Sequence, residues 1–298
     1  MDAVLRLLNG LLMLAAPLAL GAILARRLRA PWSLYGAGAA GFLGSQVLHI
    51  PFNLAVLNPA IQRAGLVPGA GFPGEVLGPA LLGLSAGLFE EPARYLVYRW
   101  VGRQGRSWAG GLMLGAGHGG LEAILLGLLV LYGFFQAVAY QGAELSALLP
   151  AEQAAAAQAN LNAYWSAPAP AALLGAVERL LAICIQLGLS ILVLQSIRKR
   201  NALWLVLAVG WHALVDGAAL VALAAWGTWA TEGVIALFAL ASLGAVFGLR
   251  DRGEATAQEP TGRTAATDPP AIPTAADRPP QAWRERPERL EDSRYLEE

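Results

Sequence analysis

Residues 87–95 read Gly-Leu-Phe-Glu-Glu-Pro-Ala-Arg-Tyr, and they decide how the whole chain is interpreted. The surrounding stretch, about residues 76–101, has the length and apolar character of a membrane span. A charge at mid-membrane costs roughly 2.5–3.5 kcal/mol on insertion scales. Here Glu90, Glu91 and Arg94 fall within five residues of one another. Ionisable residues kept at this cost are functional by default, so the stretch indicates a site inside a membrane protein.

The composition is that of a multi-span membrane protein. The 298 residues are 56% hydrophobic and 14% charged, with a mean hydropathy of +0.50, whereas a soluble domain carries about 25% charged residues. The net charge is zero and no long basic stretch occurs, so no nucleic-acid partner is expected. Cys184 is the only cysteine, which excludes an intrachain disulfide and a cysteine-based metal site. We therefore expect an all-α protein of the plasma membrane whose immediate partner is the lipid bilayer.

Seven apolar segments have about the 20 residues that a bilayer requires. They cover roughly residues 4–25, 33–57, 76–101, 108–135, 169–196, 202–226 and 231–249. Basic residues follow the first, third, fifth and seventh segments, and the alternate loops are almost free of them. Because basic loops remain in the cytoplasm, this pattern predicts a bundle of about seven transmembrane helices with the N-terminus outside and the C-terminus inside.

The last fifty residues differ from the rest of the chain. Residues 251–298 are rich in Pro, Thr, Ala, Asp and Arg and offer few apolar side chains to bury. This composition predicts a disordered cytoplasmic tail that follows a transmembrane domain of residues 1–250.

Polar residues on three predicted spans lie at one depth. Glu90, His118 and His212 are each about ten or eleven residues from the cytoplasmic end of their span. At 1.5 Å per residue this distance is about 15 Å, which is the middle of the bilayer. The sequence therefore predicts that Glu90, Glu91, His118 and His212 converge on one water-containing cavity, open toward the cytoplasmic side or laterally between helices.

Three pairs of these polar residues have the spacing of neighbours on one helix face. Residues four apart share a face, and the pairs are Glu90 with Arg94, His118 with Glu122, and His212 with Asp216. We expect His118 to contact Glu122 and His212 to contact Asp216, with these two acids either orienting the histidines or acting directly. Glu90 and Glu91 point about 100° apart, so one can pair with Arg94 while the other faces a different helix.

These motifs resemble those of a known superfamily of intramembrane peptidases. Glu-Glu-Pro-Ala-Arg at 90–94 resembles the first motif of the CAAX-protease and bacteriocin-processing superfamily (CPBP, Abi) and its PrsW-like relatives. Gly-His-Gly-Gly-x-Glu at 117–122 and His-Ala-x-x-Asp at 212–216 resemble the second and third motifs and are most similar to the YhfC branch. The resemblance covers about residues 1–250. The CAAX-protease group usually has one residue more before the arginine, so prenyl-protein processing does not follow from the likeness.

The resemblance implies a glutamic-type intramembrane endopeptidase, a hydrolase that cleaves membrane-embedded or membrane-associated peptides without a cofactor. A carboxylate shielded from bulk water can act as a base near neutral pH. Glu90 or Glu91 would activate water with help from His118, and His212 would stabilise the oxyanion. Arg94 would keep one glutamate ionised.

Two other classes of function remain open from the residues alone. His118, His212 and one or two carboxylates could hold zinc with a position open for water, although no His-Glu-x-x-His motif occurs. A transporter could use the same midplane acids, but no internal repeat supports one. The sequence does not name the substrate.

Overall fold

The computed structural model describes residues 2–250, and the tail predicted for residues 251–298 lies outside the described residues. All regular structure in the described range is helical, which confirms the all-α prediction. The α-helices are α1 Asp2–Leu28, α2 Trp32–Phe52, α3 Asn58–Arg63, α4 Gly78–Trp100, α5 Trp108–Ala139, α6 Ala151–Ser166, α7 Leu174–Arg198, α8 Leu203–Trp226 and α9 Thr228–Gly248. Short 3₁₀ and π-helical turns connect several of them.

Six helical segments in the described range are long and apolar enough to cross a membrane. They are Asp2–Leu28, Trp32–Arg63, Trp108–Ala139, Ala169–Arg198, Leu203–Trp226 and Thr228–Gly248. The third predicted span corresponds to α4, which has 23 residues but does not belong to this set. Its central charges Glu90, Glu91 and Arg94 make it less apolar than the other six. The structure thus shows six candidate spans rather than seven.

Helix α4 lies among α2, α7 and α8, and α5 packs against α1, α2 and α7. Glycines allow close approaches between these helices, as two examples show. A Cβ atom on Gly87 of α4 would lie 2.6 Å from the carbonyl oxygen of Val209 on α8, and one on Gly117 of α5 would collide with the carbonyl of Tyr35 on α2. Small residues of this kind let membrane helices approach until their backbones touch. The glycines therefore bring α4 against α8 and α5 against α2.

The connection from α2 to α4 contains two π-helical turns, Asn53–Leu57 and Pro73–Leu77. The first directly continues α2, and Pro51, which has no backbone N–H to donate, lies just before it. Such π-turns are frequent at functional sites because they redirect side chains within a helix. Here the turn begins at Asn53, whose side chain contacts His49 of α2 and Ser85 of α4.

Candidate functional site

Glu90 lies between α2, α5 and α8, and its carboxylate contacts two histidines. Its Oε2 atom lies 3.1 Å from Nε2 of His118 on α5 and 4.0 Å from Nε2 of His212 on α8. Its Oε1 atom accepts a hydrogen bond of 3.0 Å from the Gln46 side chain on α2. The side chain is only 9% exposed, and His118 is fully buried. Glu90 therefore has a polar partner from each of the three surrounding helices.

Glu91 points to a different side of α4 and contacts Nδ1 of His212, the ring nitrogen that does not face Glu90. Its Oε1 atom lies 2.7 Å from Nδ1 of His212, and its Oε2 atom forms an ion pair of 3.4 Å with Nε of Arg94 that lacks hydrogen-bond geometry. Arg94 is also fully buried and donates to the backbone and side-chain oxygens of Gln186 on α7. A carboxylate on Nδ1 fixes the imidazole ring and directs Nε2 away from it.

Of the two glutamates that the sequence offers as partners for Arg94, Glu91 forms the ion pair. Both spacings, three and four residues, place side chains on one helix face. Glu90 turns toward α2 and α5, where Gln46 and His118 satisfy both of its oxygens. Glu91 remains on the side that faces α7 and α8, where Arg94 is anchored.

The two predicted histidine–acid pairs have different outcomes. Asp216 contacts His212 as expected, with Oδ2 3.5 Å from Nε2. Glu122 does not contact His118; it accepts from Arg179 at 2.7 Å and from the Gln186 side chain at 3.2 Å. The physical reason is that Arg179 of α7 brings a full positive charge to Glu122, while His118 is already directed at Glu90. Glu178 also pairs with Arg179.

A cavity of about 140 Å³ adjoins these residues. Glu90, His212 and Asp216 line one part of it, and Glu122, Glu178 and Arg179 line another, with Gln186 between them. Apolar residues of α7, α8 and α9 complete its wall. The cavity extends from the site toward the end of the bundle where α5 ends and α7 begins. This end lies away from the basic loop between α4 and α5, whereas the sequence analysis expects an opening toward the cytoplasmic side or laterally between helices.

His49, the remaining histidine of the chain, lies beside this cluster. It is buried, its ring stacks on Phe89 with centroids 5.3 Å apart, and its Nε2 lies 2.9 Å from Nδ2 of Asn53. Phe89 directly precedes Glu90, so all three histidines of the chain surround the same turn of α4. The Nδ1 atoms of His49 and His118 are buried and find no hydrogen-bond partner among the described residues.

Sequence reasoning missed Gln46 and Gln186, which bind the acids and Arg94 directly. Both are neutral amides inside apolar helices, and no motif marks them. The available signal is their rarity: a polar amide in a membrane span needs a polar partner, and charged side chains such as Glu90, Arg94 and Glu122 provide one.

The distances between the donor atoms show how well these residues fit a metal ion. Ligand atoms around tetrahedral zinc lie about 3.3 Å from one another, as follows from bond lengths of about 2.0–2.1 Å. The contacts of Glu90 with His118 and of His212 with Asp216 are close to that separation, and the 4.0 Å from Glu90 to His212 is longer. Within residues 2–250, no group of three or more His, Cys, Asp or Glu side chains is already arranged to hold a metal ion. Imidazole and carboxylate donors suit zinc. For these atoms to surround an ion, His212 or Glu90 must shift slightly, because their 4.0 Å separation is longer than zinc requires.

The structure is that of a polytopic membrane protein with a polar intramembrane site. Six of its helices are candidate spans, and paired carboxylates and imidazoles lie in its core. The chain belongs to the YhfC family, described as intramembrane metalloproteases, whose family model matches residues 12–239. The recognised resemblance to YhfC proteins is thereby confirmed. The family description implies peptide substrates.

One relative is the membrane protein YhfC of Bacillus subtilis (strain 168), which is 39% identical over 144 residues. The matched region covers 45% of this chain and 52% of that protein, so the chain matches about half the length of this relative. No solved structure matches the chain.

Proposed function

We propose that the chain hydrolyses peptide bonds of membrane-embedded or membrane-associated substrates at the site formed by Glu90, Glu91, His118, His212 and Asp216. The observation that carries this proposal is the double contact of His212. Its Nδ1 is held by Glu91, so its Nε2 is presented to Glu90 and Asp216. This is the arrangement that fixes a histidine for metal binding or for proton transfer.

A metal ion fits this site best when His118, His212 and Glu90 hold it. Both histidines offer Nε2 on the side of Glu90, and the family is described as metalloproteases. Such an ion supplies a Lewis acid that polarises the peptide carbonyl and lowers the pKa of its bound water.

The remaining residues have roles that follow from their positions. Asp216 is 40% exposed and lines the cavity, so it is placed to take a proton from water and return it to the leaving amine. Glu91 and Arg94 are completely buried and orient His212 without reaching the cavity lining. The low exposure of Glu90 excludes bulk water and strengthens every electrostatic contact in the site.

A second candidate is a metal-free glutamic peptidase, and one observation favours it. Glu90 and His118 already contact each other directly at 3.1 Å. In this mechanism Glu90 takes the proton from the attacking water, and His118 and His212 stabilise the oxyanion. Both candidates predict hydrolysis and differ in whether a chelator stops it. The family description gives the transporter alternative no support.

We also propose that seven helices of the protein cross the membrane. Helix α4 crosses as a seventh span because its charges are buried against α2, α5, α7 and α8 rather than exposed to lipid: Glu90, Glu91 and Arg94 are all buried. With seven spans, the alternation of basic loops places the N-terminus outside and the C-terminus in the cytoplasm.

Comparison of the membrane proteomes of cells that make the wild-type chain or the Glu90→Gln variant tests the peptidase. The variant keeps the shape and hydrogen-bonding capacity of residue 90 but removes its charge. We expect intact substrates to accumulate in the variant and their fragments to disappear. Glu152→Gln is the control, since Glu152 is exposed on α6 and does not line the cavity at the site. Identical fragment patterns in wild type and Glu90→Gln would refute the proposed function.

A further inference from the structure

The cavity beside the site joins the deeply buried acids to acids that are much more exposed. Side-chain exposure rises from 9% for Glu90 to 24% for Glu122 and 38% for Glu178. A carboxylate at the edge of a membrane helix faces either lipid or water, and lipid contact carries a penalty of roughly 2.5–3.5 kcal/mol at mid-membrane. The exposed acids therefore indicate a water-filled path rather than a lipid-facing surface.

Five helices line the cavity: α4 contributes Glu90 at the site itself, and the other four extend the cavity in one direction. On α5 the lining residue Glu122 follows His118, and on α8 Asp216 and Ala219 follow His212. On α7 and α9, which run the other way, the lining residues Glu178 and Ile235 lie near the helix starts. Each helix thus leads from the site to the end of the bundle where the 140–150 connection lies.

The opposite end of the site is closed by packed side chains. Tyr98 of α4 is fully buried, and its hydroxyl lies 2.7 Å from the hydroxyl of Ser190 on α7. Ser190 in turn donates to the backbone of Gly111 on α5 at 2.8 Å. Met113 and Leu114 of α5 and Leu194 of α7 fill the space around them with no exposure at all. Among the described residues, this buried layer separates the site from the basic loops.

Water molecules need room and polar partners, and the cavity offers both. A water molecule occupies about 30 Å³ of liquid, so a cavity of about 140 Å³ holds several of them. Glu90, Glu122, Glu178 and Asp216 supply acceptors along it, and Arg179 is fixed between Glu122 and Glu178 at its middle. The four carboxylates outnumber the one guanidinium, so the lining favours cations over anions.

We propose that this cavity is the route by which water reaches the site, and that it opens at the end of the bundle that carries residues 140–150. The inference deepens the proposed function, because it names the source of the hydrolytic water. With the topology proposed above, that source is the outer face of the membrane, and a substrate bond is attacked by water from outside the cytoplasm.

Cysteine accessibility tests the route without any catalysis. In a Cys184→Ala background, Ala219→Cys places one thiol in the cavity wall and Ala116→Cys places one in the buried layer of α5. Ser146→Cys and Gln104→Cys, both exposed, mark the two ends of the bundle. Membrane-impermeant methanethiosulfonates carrying a trimethylammonium or a sulfonate group are added to right-side-out or inside-out vesicles.

We expect the Ala219→Cys thiol to react from the same face as Ser146→Cys, at least tenfold faster than Ala116→Cys, and faster with the cationic reagent than with the anionic one. Reaction from the face of Gln104→Cys, reaction no faster than Ala116→Cys, or equal rates with both reagents would overturn the route. Labelling does not depend on proteolysis, so loss of the route leaves the peptidase proposal standing, and the reverse also holds. The face on which Ser146→Cys reacts reports the topology separately.

Discussion

Glu91 and His212 are 121 positions apart in the chain, and their side chains meet at 2.7 Å in the middle of the helical bundle. This contact joins α4 to α8 and leaves one imidazole nitrogen directed at Glu90 and Asp216. Because Glu91 and Arg94 are fully buried, the contact belongs to a charged network that the fold can hold only when every partner is present.

The first prediction concerns that network. Glu91→Gln leaves the Arg94 charge buried without a carboxylate, so we expect a loss of about 3–5 kcal/mol of stability and a clearly lower melting temperature in detergent. Glu178→Gln is the matched control, because Arg179 retains Glu122 and Glu178 is partly exposed. Adding Arg94→Met to Glu91→Gln should restore part of the loss. A Glu91→Gln protein that melts like the wild type would contradict the network.

Gln46 supports the second prediction, because it donates to the oxygen of Glu90 that does not face His118. Hydrogen bonds to a carboxylate that binds a metal orient it, and their loss typically reduces metal affinity about 10–100-fold. Gln46→Met keeps the volume and removes the donor, so zinc affinity measured against a chelating dye should fall in that range. Gln136→Met, which loses an exposed hydrogen bond to Tyr132, should leave affinity unchanged. Equal affinities for the two variants would remove Gln46 from the site.

The third prediction tests the close approach of α4 to α8 at Gly87. A methyl group there meets the Val209 backbone at 2.6 Å, which forces α4 away from α8. Gly87→Ala should destabilise the protein by about 1–3 kcal/mol, as overpacking does. Gly210→Ala on α8 meets nothing within 4 Å and should be neutral or slightly stabilising. Melting curves of the two variants compare them directly, and a Gly87→Ala protein as stable as Gly210→Ala would show that the helices are not in backbone contact.

Topology gives the fourth prediction. Reporter fusions after Arg29, within residues 140–165 and after Arg252 should read inside, outside and inside, because the basic loops are retained in the cytoplasm. The fusion within 140–165 is the most informative, since it lies at the end of the bundle toward which the cavity extends. A cytoplasmic signal from that fusion would reverse the orientation.

Much of the helical framework could be predicted from apolar segment lengths, and the level of Glu90, His118 and His212 from residue counts along three spans. The choice of partner for each charged side chain could not be predicted. Arg94 has Glu90 and Glu91 at spacings that both suit a helix, and the choice depends on the position of Gln186 on another helix. Glu122 binds Arg179 for the same kind of reason. The direction of the cavity depends on which end α7 and α5 leave unfilled, and single-helix periodicity carries no information about that.

Zinc-dependent cleavage by the purified, reconstituted protein tests the central claim most directly. A substrate identified from the proteome comparison is incubated in proteoliposomes with wild-type protein or Glu90→Gln, after treatment with a chelator and after zinc is restored. The account predicts that the wild type cleaves, that chelation stops cleavage and that zinc restores it. With zinc present, Glu90→Gln should cleave at least 100-fold more slowly than the wild type, within the range of about 10²–10⁴ expected for an essential acid–base or ligand group. Cleavage that survives chelation and still requires Glu90 would establish the glutamic mechanism instead. Cleavage that survives Glu90→Gln would contradict the site itself.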